Sequence, residues 1–168
     1  MGFKAEYLRL IDSNEFKKWE KENKNCYLTS FSSMYDSFSN KIEFWTIGFY
    51  DSKKDGMISF LMQDKITLEK FDEIAKTPGT KVDELKIDKI KIDFEGALEK
   101  VKEIKKEFYK NRMLTKAFVV LQVFEGKQVW NISFLTGSFQ LINFKINSEN
   151  GDLVSHELMS FTDIGKIS

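Results

Sequence analysis

Cysteine is nearly absent from this sequence: Cys26 stands alone among 168 residues. An intrachain disulfide is thereby excluded. Histidine is as scarce, His156 being the only one, and one Cys with one His cannot build a zinc site of the usual four-ligand kind. The single proline, Pro78, sits in Thr77-Pro78-Gly79-Thr80 and marks a linker. An excess of one charge is missing too: 26 Lys and Arg balance 26 Asp and Glu. The basic footprint of a nucleic-acid binder is therefore lacking. The densest basic stretch, Lys100 to Arg112, is interleaved with Glu103 and Glu107 and reads as the solvated face of a helix. No apolar run approaches the roughly 18 residues of a membrane span. The first ten residues, MGFKAEYLRL, are charged throughout and lack the apolar core of a secretory signal. These absences predict a cytoplasmic protein with no nucleic-acid or membrane partner. No phosphate-binding or dinucleotide-binding glycine motif occurs, so no cofactor is expected.

Aromatics are plentiful, with 16 Phe, 5 Tyr and 3 Trp, which is ample material for a core. They also expose an internal repeat. Trp45-Thr46-Ile47-Gly48-Phe49-Tyr50 resembles Trp130-Asn131-Ile132-Ser133-Phe134-Leu135, 85 positions on. Met57-Ile58-Ser59-Phe60 parallels Leu141-Ile142-Asn143-Phe144 at an offset of 84, and Ile11-Asp12 parallels Ile92-Asp93 at 81. Trp130, Ile132 and Phe134 alternate with polar Asn131 and Ser133, the pattern of an antiparallel strand with one buried face.

The second copy is the clearer. Asp93 is the predicted N-cap of a helix whose apolar stripe is Phe94, Ala97, Leu98, Val101, Ile104 and Phe108. A meander over 116–124, 128–135, 139–147 and 153–161 follows. Its turns are predicted at Glu125-Gly126-Lys127, Thr136-Gly137-Ser138 and Asn150-Gly151, the last as a type I′ turn. In the first copy Asp12 and Glu15 suggest a capping box, with Phe16 and Trp19 as the stripe of a short helix ending near Asn25. The expected fold class is α+β, two units each of one helix packed on an antiparallel sheet. The first unit is expected over 1–70, a linker over 71–85 and the second unit over 86–168.

The second unit resembles a PepSY domain, through its Ile92-Asp93 helix start, Ala97 to Lys100 opening, Trp-centred strand and closing hairpin, Ile146 to Leu153. The likeness covers about Lys86 to Glu157; the first unit shares mainly its Trp strand and the strand of Ile58 and Phe60. Asn147 stands where the family usually has Asp. The resemblance implies two cystatin-like units and a non-catalytic role, a protein- or peptide-binding or regulatory module. A small-ligand or enzymatic pocket on the concave sheet, and an intracellular peptidase inhibitor, are the alternatives.

Three groups of residues are candidates for function. Gln122-Val123-Phe124-Glu125-Gly126 is similar to the inhibitory hairpin of cystatins, making Gln122, Phe124 and Gly126 a candidate inhibitory element. The strand over 116–124 is apolar on both faces, with Phe118 and Val120 on one and Val119, Leu121 and Val123 on the other. Phe118, Val120 and Leu121 are thus a candidate partner surface, unless the strand is buried between the two units. Cys26 and His156 have a nucleophile's and a base's chemistry but no local signature. Ser155, His156 and Glu157 are neighbours on one strand and point to alternating faces. Asp51-Ser52-Lys53-Lys54-Asp55-Gly56 looks like a calcium loop, but Lys53 takes a ligand position, so it reads as a hairpin turn. No catalytic, cofactor-binding or metal-binding residue is expected.

Overall fold

The computed structural model describes residues 2–71 and 82–160. In chain order the elements are α1 (Phe3–Asp12), α2 (Asn14–Glu22), β1 (Cys26–Asp36), β2 (Lys41–Ile42), β3 (Thr46–Asp51), β4 (Gly56–Met62), β5 (Ile66–Phe71), α3 (Phe94–Phe108), β6 (Leu114–Phe124), β7 (Lys127–Thr136), β8 (Leu141–Asn147) and β9 (Leu153–Met159). The protein is α+β, and its sheet pairings over β1–β3–β4–β5 and β6–β7–β8–β9 are antiparallel.

Two compact units emerge, one from Met1–Ser32 and Phe44–Ile87, the other from Ser33–Glu43 and Asp88–Ser168. The division departs from the expected one in two places. Residues 82–87, expected in or just after the linker, belong to the first unit: the Leu85 N–H donates to the Leu28 carbonyl at 2.8 Å and the Tyr27 hydroxyl to the Val82 carbonyl. Residues 33–43 belong to the second. There Tyr35 packs edge-on against Phe94 at 5.3 Å, and the Ser37 N–H donates to the Thr115 carbonyl at 2.9 Å. The centre of the expected linker, 72–81, lies outside the described residues.

The first unit has two helices where one was expected. α1 buries Phe3 and Leu10, and Phe3 meets Phe31 at 5.2 Å. α2 is capped by Ser13, whose hydroxyl accepts from the Phe16 N–H at 3.1 Å; Asp12 instead ends α1. Phe16 and Trp19 then lie on Phe49 and Phe60, with ring centroids 5.2–5.6 Å apart.

The second unit follows the sequence closely. Asp93 caps α3 through the Gly96 N–H at 2.8 Å, and Phe94, Ala97, Leu98, Val101 and Ile104 are buried. Phe94 packs on Trp130, and Trp130, Ile132, Phe134, Ile142, Phe144 and Ile146 form the sheet's side of the core. The same register recurs in each unit. Ile47 faces Phe60 and Phe49 faces Ile58 in the first; Ile132 faces Phe144 and Phe134 faces Ile142 in the second. Trp45 itself stands just ahead of β3, its carbonyl accepting from the Met62 N–H at 2.8 Å.

The type I′ geometry falls at a different turn from the one expected. Glu125 and Gly126 both have positive φ, 47° and 76°, and join Phe124 directly to Lys127. In the closing hairpin only Gly151 does, at 80°, and the loop is longer, closed by Asn147 N–H to the Asp152 carbonyl.

Candidate functional site

α3 runs out at Phe108 because Tyr109 leaves the helical region, its N–H still bonded to the Lys105 carbonyl at 2.9 Å. The chain then turns, with the Arg112 N–H on the Tyr109 carbonyl, and meets the β7–β8 turn where the Gly137 N–H donates to the Met113 carbonyl at 2.9 Å. Between this turn, the end of α3 and Leu158 of β9 lies an open groove of about 800 Å³. Three large apolar side chains converge on it with much of their surface in solvent: Phe108 at 55%, Met113 at 57% and Leu158 at 40%. Leu158 pairs with the core residue Ile142, so it points to the α3 side of the sheet.

Two cations, Lys110 and Arg112, line the groove against the one carboxylate of Glu107. Arg112 donates to the Ser138 hydroxyl at 3.3 Å and to the Gln140 side-chain carbonyl, which holds its guanidinium in place. Neither cation has an acidic partner among the described residues. Behind the groove His156 is clamped: the Phe108 ring lies 4.6 Å from it and the Tyr109 hydroxyl is 2.7 Å from its Nδ1. Burial, with the charge of Glu157 behind it, pushes the Tyr109 hydroxyl above its ordinary range. β9 pairs with β8 on one side; among the described residues no strand pairs with its other edge.

The residues singled out from sequence are dispersed. Phe118 and Val120 lie on the sheet face away from α3, Phe118 half-exposed. Leu121 is fully buried on the opposite face, opposite Trp130. Its partner across the strands is a core residue of the second unit, and it lies on the other face from Phe118 and Val120, so the three do not form one surface. Gln122 and Phe124 follow Phe118 on the outer face, and Phe124 lies under the Lys145 ammonium, 4.9 Å from its ring centroid. Gly126 makes the turn. On the same face Asn143 donates to Asn131 at 2.6 Å and Ser133 at 2.8 Å and accepts from Lys145 at 2.7 Å, a self-satisfied polar strip.

Cys26 opens β1 opposite Asp51, while His156 sits on β9, and neither lines the groove. Burial, then Asp51, pushes the Cys26 thiol up, away from a reactive thiolate. Asp51 closes its turn as a side-chain cap, accepting from the Lys53 N–H at 2.9 Å, the Lys54 N–H at 3.1 Å and Asn25. Among the described residues no group of three or more His, Cys, Asp or Glu could hold a metal ion, and no helix is long and apolar enough to cross a membrane. The groove itself was not foreseen. The signal for it was Phe108, an apolar residue at the very end of the stripe, followed by Lys110 and Arg112 beyond the last helical turn.

No family model matches the chain, and no curated protein matches it significantly. Among solved structures it is similar to a protein from Clostridium difficile 630 described as a "putative lipoprotein", with a TM-score of 0.53 and 14% identity over 86% of this chain and 90% of that one. At that identity the likeness is one of fold.

Proposed function

We propose that this chain is a non-catalytic module that binds a protein or peptide, built of two cystatin-like units of PepSY type. The observation that carries the reading is the edge of β9, unpaired among the described residues and running beside the groove of Phe108, Met113 and Leu158. Such an edge takes an added strand through backbone hydrogen bonds, and pockets beside it select alternate side chains. Exposed apolar groups gathered at one place, rather than scattered, mark interaction sites. The PepSY part of the reading rests on Asp93, the Ala97 to Lys100 opening and the Trp130 strand, and the recurring register supports a duplicated unit.

The inhibitor alternative is less well supported, since Phe124 lies beneath Lys145 rather than projecting from the hairpin. Selection of peptides from a random displayed library against the full chain tests the proposal. The expected outcome is an enriched sequence with apolar residues at alternate positions, whose capture is lost in Leu158→Lys. No enrichment, or enrichment indifferent to Leu158→Lys, would remove the β9 edge as the site.

A further inference from the structure

The groove beside β9 is not electrically neutral in its design. Two cations face one carboxylate, and the cations are differently prepared. Lys110 is an exposed point charge on a four-carbon stem. Arg112 is fixed by Ser138 and Gln140, both neutral partners, so its positive charge is oriented but not cancelled. A guanidinium held this way binds carboxylate with little further loss of side-chain freedom. The apolar floor of Phe108, Met113 and Leu158 lies in the same groove. A strand added at β9 would place alternate side chains on the α3 side, next to Leu158.

Resting on the peptide-binding reading above, we propose that the groove selects an acidic-apolar peptide: an extended segment whose apolar side chain packs on Phe108, Met113 and Leu158 and whose nearby Asp or Glu side chain pairs with Arg112 and Lys110. Charge complementarity favours the acid, because a basic segment would meet two cations and one carboxylate in a partly desolvated cleft. The outer sheet face is a poorer candidate, because its Asn131, Ser133, Asn143 and Lys145 already satisfy one another.

The test uses the full chain and two amide-capped fluorescent peptides of alternating threonine and leucine. One carries two aspartates at its end and the other two lysines. Anisotropy titration at low salt should show saturable binding of the aspartate peptide and about tenfold or weaker binding of the lysine peptide. Arg112→Gln and Lys110→Gln should each weaken the aspartate peptide by about threefold or more, and added salt should do the same. Amide shifts in an NMR titration should fall on β9 and residues 107–113. Equal binding of both peptides, still lost in Leu158→Lys, would overturn the acidic selectivity while leaving the peptide-binding reading intact. Binding of neither peptide would overturn the proposal, and the library selection would then decide the broader reading by itself. Arg112-dependent binding to phosphatidylglycerol vesicles, with neither peptide bound, would overturn it in favour of an anionic lipid surface.

Discussion

The indole N–H of Trp130 donates to the backbone carbonyl of Ile92 at 2.8 Å, tying the middle of β7 to the turn that leads into α3. Trp19, on α2 of the first unit, has a buried indole N–H with no acceptor among the described residues. The same substitution should therefore have unequal effects. Trp130→Phe loses a hydrogen bond and leaves a cavity, and should cost about 2–4 kcal/mol. Trp19→Phe loses packing against Phe49 and Phe60 but also removes an unsatisfied donor, a penalty of about 1–3 kcal/mol, so the two changes nearly offset. Urea unfolding of the two variants measures the difference; equal losses would show that the Trp19 N–H is satisfied in solution.

Leu121 and Phe118 lie on opposite faces of β6, the first fully buried and the second half-exposed. Leu121→Lys buries an unpaired ammonium against Trp130 and should cost several kcal/mol, on the order of the upper end of single-site effects. Phe118→Lys should leave the thermal midpoint almost unchanged. A folded, unshifted Leu121→Lys protein would mean that β6 pairs in a different register.

Most of the second unit was legible because its main local signals agreed with the final packing: the Asp93 cap, the stripe of α3 up to Ile104 and the alternation in β7 and β8 all point to one core. α1 was missed, although Phe3, Tyr7 and Leu10 have helical spacing. The charged string MGFKAEYLRL masks it, and its buried Glu6 is tolerated because Arg9 pairs with it at 2.8 Å. The reassignment of residues 33–43 was out of reach, since it depends on Tyr35 finding Phe94 and Phe134, contacts distant in sequence. The groove was illegible for a similar reason. Phe108 reads as one more core position, and only the point at which α3 stops against the sheet leaves it in solvent.

Asp51 gives the first unit a pH-dependent component of stability. Burial alone would raise its carboxyl, but the Lys54 and Lys53 N–H groups, Asn25 and the Lys54 charge outweigh it and hold the folded value below the ordinary one. A depressed folded value stabilises the native state fully above the unfolded Asp value, and the contribution fades as pH falls through the folded one. Asp51→Asn keeps an acceptor for the turn but cannot titrate. Its stability should fall below that of the parent at neutral pH, and the gap should narrow as the pH drops below the ordinary Asp range. A gap that stays constant with pH would assign the effect to packing.

Two turns adopt the same left-handed backbone with different residues, Gly126 in one and Phe139 in the other. Gly126, at φ 76°, has nothing within 4 Å of where a Cβ would sit, so the only penalty for a side chain there is conformational. Gly126→Ala should cost about 1–2 kcal/mol. Phe139, at φ 57°, is a bulky residue in the same region, and 72% of its surface is exposed. Little packing repays that strain within the chain, and bulky residues held there are rare. Asn tolerates the left-handed region far better, so Phe139→Asn should stabilise the protein by about 0.5–1 kcal/mol. The pair is read together in one denaturation series, because the signs should be opposite. A loss of stability in Phe139→Asn would mean that the ring is covered in solution, and would make the β7–β8 turn part of a contact surface that extends the groove at Ser138.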